Sequence, residues 1–242
     1  MTLAAQLKKT TGTLVRTTAP LTFTEPVTHV YRPLEYARAA WDNYIERYAR
    51  PDVDAVLVGM NPGPFGMAQT GVPFGDVGFV RGWLGIETPI GKPRDEHPKR
   101  PVTGFGCQRG EVSGQRLWGW ARDRFGKPEA FFERFFVANY CPMCFMEEGG
   151  RNRTPNKLHG EEKGRLFAYC DRGLRDLVKA IGPKVVFGVG AFSESRCRAA
   201  LDGLHIRVHR VLHPSPASPA ANRGWAQQAE EALRQSGIRL PD

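Results

Sequence analysis

The chain has 242 residues, 41% hydrophobic and 24% charged, the balance of an ordinary globular protein long enough for one large domain. Lys and Arg number 34 against 25 Asp and Glu, and the resulting +9 charge favours a polyanionic partner, nucleic acid or an anionic membrane surface. No apolar run reaches membrane-spanning length, residues 1–9 lack a signal-peptide core, and the five cysteines form no regular framework, so the expectation is a soluble, reduced, cytoplasmic protein.

Residues 1–28 are polar with little periodicity, which predicts a loosely docked N-terminal arm or a short helix. Leu34, Ala37, Trp41, Tyr44, Ile45 and Tyr48 recur at helical spacing and predict one amphipathic helix over 34–50. The run from Asp54 to Met60 reads as a buried strand that stops in a Gly- and Pro-rich loop, Asn61 to about Gly78. Residues 79–110 are rich in Gly, Pro, Lys and Arg and read as a basic surface excursion. A helix follows over 112–125, with Ser113 as its N-cap, and its tryptophans are assigned to the core.

Phe135 to Tyr140 is a second buried strand, closed by Cys141-Pro142, and residues 147–160 form a second basic loop carrying Arg151 and Arg153. The stretch 164–181 has one apolar face and stops at Gly182-Pro183, as a helix does. A third strand, 184–189, leads through Gly190 into a short helix, 193–201, and a fourth, 206–212, ends at His213-Pro214-Ser215-Pro216. Residues 225–235 form a terminal helix.

Strands alternating with helices predict an α/β fold, with a mainly parallel four-stranded sheet covered on both faces and a single domain over 1–242. In such sheets ligands gather beyond the carboxyl ends of the strands. Asn61, Asn139 and His213 each follow a strand, as does the Gly190 turn, so four separate segments converge on one sheet edge. A rigidly held amide such as Asn61 positions and recognises by hydrogen bonds, and does not act as a strong base.

Other chemistries fit less well. The glycines at 59–66 lack the Gly-Lys-Ser/Thr ending of a phosphate-cradling loop, and Gly188-Val189-Gly190 lacks the third glycine of a dinucleotide site. The free amides at Ala191 to Ser193 still suit a phosphate at a helix N-terminus. Cys141 and Cys144 have no second pair or histidine cluster, so no metal and no cofactor is expected. No nucleophile elbow is present, and Ser215 lies between prolines.

The segments Gly59–Gly75, His213–Pro216 and Asn222–Trp225, together with Glu111–Trp118 and Phe136–Pro142, closely resemble the single-strand-selective monofunctional uracil-DNA glycosylases. The resemblance runs from the first strand to Trp225 and implies a three-layer α/β/α sandwich. It implies that Asn61 positions the attacking water, Phe74 stacks on a flipped base, Asn139 reads the uracil edge and His213 donates to uracil O2. Met60 and Gly63 then line the region near C5. The segment from His213 to Trp225, with Ser215, Pro216, Ala217, Ser218, Asn222 and Arg223, corresponds to the wedge that enters the duplex, and the family pattern has a basic residue where Ala217 stands.

Gly190, Ala191, Arg151 and Arg153 complete the expected DNA contacts. The implied protein is a monomeric repair enzyme acting on single- and double-stranded DNA that contains uracil or 5-hydroxymethyluracil. Such an enzyme would be associated with the nucleoid in a bacterium. Two other readings stay open: a glycosylase of the same fold for xanthine or hypoxanthine, and a non-catalytic nucleic-acid-binding module.

Overall fold

The computed structural model describes residues 1–241. The chain opens with α1 (Leu3–Thr18), β1 (His29–Tyr31), α2 (Pro33–Tyr36), α3 (Arg38–Tyr48) and β2 (Ala55–Gly59). It continues through α4 (Met67–Thr70), α5 (Val77–Gly82), α6 (Val112–Phe125), α7 (Pro128–Phe132) and β3 (Phe135–Asn139). Two short strands, β4 (Cys144–Met146) and β5 (Asn152–Arg153), precede α8 (Gly160–Ile181), β6 (Val185–Val189) and α9 (Ala191–Ala200). The last elements are β7 (Arg207–Val211) and α10 (Trp225–Gln235).

The main sheet has the order β3-β2-β6-β7 with every pair parallel, as the alternation of strands and helices predicts. Parallel strands need crossovers, and crossovers of one hand set the layers. From β2 the chain moves outward to β3 through α4–α7, then back past β2 to β6 through α8 and on to β7 through α9. Opposite directions of travel put α8 and α9 on one face, where α1 joins them, and α6, α7 and α10 on the other. With both faces covered, all five residues of β2 and of β6 are buried, which is why these strands read as apolar runs without polar alternation.

Between α3 and the sheet, Tyr48 stacks on Phe132 with ring centroids 4.3 Å apart, and the Tyr44 hydroxyl donates to the Val137 carbonyl at 2.9 Å. Each such ring removes apolar surface from water, and the buried OH has its partner. The helix after β6 and the one that closes the chain lie where the periodicity puts them, and α8 ends on Gly182 in the left-handed conformation.

Four expectations are corrected. The N-terminal stretch is not a loose arm: α1 packs along α8, buries Leu7, and its Thr11 hydroxyl accepts from the Trp41 indole at 2.9 Å. The helix over 34–50 is broken at Ala37, because the Tyr36 carbonyl turns to accept from the Gly91 amide at 2.9 Å. The 79–110 stretch is not a surface loop throughout, since Leu84, Ile86, His97, Val102 and Phe105 are buried. The N-cap of α6 is Glu111, not Ser113; its carboxylate accepts from the Ser113 and Gly114 amides at 3.1 and 2.9 Å.

The basic 147–160 loop also contains structure that sequence patterning did not show. It holds β5, which pairs antiparallel with β4 just before the loop, and β4 pairs with β1 in a small second sheet whose two- and three-residue strands are too short to carry an alternation signal.

Candidate active site

Beyond the carboxyl ends of β2, β3 and β7 opens a cavity of about 550 Å³. Asn61, Gly63, Met60, Phe74, Asn139, His213, Ser215 and Pro216 all line it, so three of the four expected segments converge here, and the Gly190 turn does not reach the lining. Asn61 is held from both sides: its Nδ2 donates to the carbonyls of Pro62 and Met143, each at 3.1 Å. Both amide protons are thereby engaged, and Oδ1 is left as an acceptor. An acceptor fixed in this way can orient a water molecule but cannot deprotonate it. The Cys141-Pro142-Met143-Cys144 turn thus contributes a backbone carbonyl to the site, and its thiols are buried. Among the described residues no group of three or more His, Cys, Asp or Glu could hold a metal.

The register of β2 and β3 pairs Gly59 with Asn139. A Cβ on Gly59 would lie 2.4 Å from Asn139 Oδ1 and 2.7 Å from the Phe74 ring, so only glycine lets both side chains close over this strand end. Asn139 Nδ2 donates to the Met67 sulfur at 3.2 Å, a contact that opposes rotation of the amide. Phe74 has a left-handed backbone, φ 53°, a conformation costing a non-glycine residue about 1–3 kcal/mol. It is locked there through its carbonyl, which accepts from the Trp118 indole at 3.0 Å and the Asp76 amide at 2.8 Å. At Gly114 a Cβ would lie 2.0 Å from that same oxygen. Helix α6 therefore fixes the aromatic wall of the cavity.

His213 is half-buried, its ring centroid 6.2 Å from that of Phe74. Its Nδ1 accepts from the Ser215 amide at 3.1 Å, so the neutral ring carries its proton on Nε2 and is a donor there. Burial lowers its pKa below the ordinary imidazole value, which keeps the ring neutral near pH 7. By NMR titration, His213 should remain neutral at a pH where exposed histidines are half-protonated. A ring titrating at the ordinary value would overturn the assignment of a neutral donor. Unfolding restores the ordinary pKa, so the unfolded chain takes up a proton that the folded ring refuses. This residue's effect is therefore a stability that falls as pH drops from about 6.5 toward the folded pKa and levels off below it.

The loop after His213 is pinned by Arg116 of α6, a residue without an assigned role in the sequence reading. Its guanidinium donates to the carbonyls of Pro214 and Ser215 at 3.1 and 3.3 Å and to Asn222 Oδ1 at 2.7 Å. Asn222 in turn donates to the Pro216 carbonyl at 3.0 Å, and the Ser215 hydroxyl accepts from the Ala217 amide at 3.1 Å. Ser218 continues the turn, its amide donating to the Ser215 carbonyl, while Pro216, Ala217 and Arg223 are exposed at the tip. Gly190, φ 88°, lies under His213; a Cβ there would approach the His213 Cβ to 3.2 Å. Ala191 beside it is exposed.

The two arginines of the 147–160 loop part ways. Arg151 is exposed, but Arg153 is not free for DNA as expected. Its guanidinium pairs with Glu147 at 2.9 Å and donates to the Lys157 carbonyl at 2.6 Å, closing its own hairpin. Strand alternation explains this: Arg153 points one way while its neighbours Asn152 and Thr154 line the cavity. Sequence reasoning also missed Gly59, Met67, Trp118, Phe65 and Arg109. Glu111, also in the cavity wall, has its pKa raised by burial, against the two amides it caps.

A parallel sheet delivering two amides, an aromatic wall and a neutral imidazole to one cavity is the setting for gripping a planar polar base. The chain belongs to the Uracil DNA glycosylase superfamily, whose family model matches residues 46–234. Within it the chain is similar to the single-strand selective monofunctional uracil DNA glycosylases of Mus musculus and Bos taurus. It is 47% identical to each over 220 residues, which cover 90% of this chain and 79% and 81% of those proteins. Among solved structures, SMUG2 of Pedobacter heparinus superposes with a TM-score of 0.69 over 98% of this chain and 97% of that one. At 16% identity this is a likeness of fold.

Proposed function

We propose that this protein is a monofunctional DNA glycosylase that takes uracil out of the base stack and hydrolyses its N-glycosidic bond, leaving an abasic site. The observation that carries the reading is the convergence of the free Asn61 Oδ1, the Asn139 edge, the Phe74 face and the His213 Nε2–H on one cavity. A base inside a duplex cannot be reached, so it is flipped and gripped by stacking and edge hydrogen bonds. As the C1′–N1 bond breaks, its electron pair passes to the base and the sugar becomes oxocarbenium-like. His213 Nε2–H donates to uracil O2, where the negative charge gathers, and stabilises it by hydrogen bonding from a neutral ring. Asn61 Oδ1 accepts from the water whose oxygen bonds to C1′, an effect of orientation; the proton that this water loses balances the one that the departing uracil anion takes up from solvent. Among the described residues no lysine lines the cavity, so none of them offers an amine there for a Schiff base with the sugar.

A single-turnover assay on uracil-containing single-stranded DNA tests the reading. Loss of uracil with an intact strand supports it, whereas binding without release of any base would leave only a binding module. The same assay with xanthine and hypoxanthine strands decides the base class.

The C5 side of the cavity bears on substrate range. A Cβ on Gly63 would meet nothing within 4 Å, so this residue leaves open space beside the base. That space suits a small polar substituent, and 5-hydroxymethyluracil is expected to be excised. Gly63→Tyr should abolish that activity by filling the space. Thymine should stay a poor substrate, because its methyl displaces water without replacing the water's hydrogen bonds. Wild-type protein that removes only unsubstituted uracil would contradict the assignment.

A further inference from the structure

The cavity is several times larger than one pyrimidine, and its outer part is built from groups that the base does not need. Phe65, Arg109, Val112, Asn152 and Thr154 form this rim. The Arg109 guanidinium stacks over the Phe65 ring with its carbon 4.1 Å from the centroid, and Arg100 lies over the same ring at 5.4 Å. A guanidinium over an aromatic face is attracted by the ring's negative face without using up its N–H donors.

Arg100 donates to the Lys99 carbonyl at 2.6 Å, whereas among the described residues the Arg109 guanidinium meets no carboxylate and no carbonyl. The acids nearby are engaged elsewhere: Glu111 caps α6, and Asp76 accepts from the Glu111 amide at 3.0 Å and from Gln115 at 3.1 Å. The rim is also rigidly supported. Gln69 donates to the Pro64 and Pro101 carbonyls at 2.8 and 3.1 Å and accepts from the Thr103 amide at 2.9 Å, fastening the Phe65 loop to the segment that leads to Arg109.

We propose that Phe65 and Arg109 form a phosphate subsite, in which Arg109, held over the Phe65 ring, hydrogen-bonds one phosphodiester of the DNA strand beside the flipped nucleotide. The inference rests on the glycosylase reading for the identity of the strand. Its chemistry is that of Arg with phosphate: a fixed fork of donors meeting two phosphate oxygens. One bond of this kind, held by a preset donor, accounts for roughly a tenfold difference in affinity. Because the contact is to the backbone, it should act equally on all sequences.

The test uses the full-length protein and short single strands with uracil at a fixed position, in which methylphosphonate linkages remove one phosphate charge at a time. Arg109→Ala should weaken binding roughly tenfold on the ordinary strand and flatten the salt dependence by about one phosphate contact, a slope change near 0.7. Neutralising one particular phosphate next to the uracil should cost the wild type a similar factor and cost Arg109→Ala nothing further. At all other phosphates the two losses should multiply.

Phe65→Leu, which keeps apolar bulk without the flat face, should weaken binding in the wild type but have little effect once Arg109 is Ala. Losses that multiply at every phosphate, or an unchanged salt slope, would overturn the subsite. Binding is read by fluorescence anisotropy and does not depend on excision. A wild type that binds but removes no uracil would therefore sink the glycosylase reading, while the phosphate map still decides the role of Arg109.

Discussion

His213→Leu is expected to slow single-turnover uracil excision by roughly 100- to 1000-fold, the usual cost of losing one donor to a developing anion. Leucine fills much of the imidazole volume but offers no N–H, so the loss falls on the transition state and DNA affinity should change far less. Because the Ser215 amide occupies Nδ1 and burial lowers the pKa, the donor is Nε2–H over the whole range in which the ring stays neutral. The excision rate should hold level as pH falls through the ordinary imidazole range and drop only below it, where protonation breaks the bond from Ser215.

Asn61→Ala should cost a comparable factor by a different route. It removes the acceptor that orients water and also frees the Pro62 and Met143 carbonyls that had held it. Thermal melting separates these effects, since a folded variant with normal DNA binding and slow excision locates the loss in water positioning. Either variant excising at nearly the wild-type rate would remove its residue from the mechanism.

The second large effect is expected at Asn139. Uracil presents an N3–H donor beside the O4 acceptor, and cytosine presents an N3 acceptor beside an N4 amino donor. An amide matches uracil with its carbonyl at N3–H and its NH2 at O4. Rotation by half a turn would match cytosine instead, so discrimination requires the amide to be fixed. The structure supplies the restraints: Nδ2 donates to the Met67 sulfur, and the absence of a side chain at Gly59 makes room for Oδ1.

Asn139→Asp places a carboxylate oxygen against O4. The expected result is a loss on uracil of roughly 100-fold or more, about 3 kcal/mol, with the uracil-to-cytosine excision ratio moving toward cytosine. Matched uracil and cytosine oligonucleotides in single-turnover assays measure that ratio. If it stayed constant in a folded variant, Asn139 would not be reading the base.

The four strands of the main sheet, the later helices and the side chains at the sheet edge were legible along the chain. The apolar runs at 55–59 and 185–189 are buried on both sides and stop at Gly or Pro, so their ends announce themselves. From those ends the positions of Asn61, Asn139 and His213 follow, and the terminal helix falls at Trp225–Gln235 as its pattern requires. Local hydrophobic period and turn chemistry are short-range signals, and these features depend on nothing else.

What holds those side chains in place was decided only in three dimensions. The carbonyl of Met143 fixes Asn61 across 82 positions of chain, and Arg116 reaches the loop of His213 across nearly 100. Trp118 was assigned to the core, yet its indole also locks the strained backbone of Phe74. Such contacts end on backbone carbonyls, which every residue carries, so no residue type at the accepting end marks them in advance. The docking of α1 and the closing of Arg153 on its own hairpin are of the same kind: polar sequence reads as loose or free until a partner stands opposite it. A one-dimensional pattern records which face of an element is apolar, whereas the geometry of this site depends on which distant backbone each polar group meets once the layers have packed.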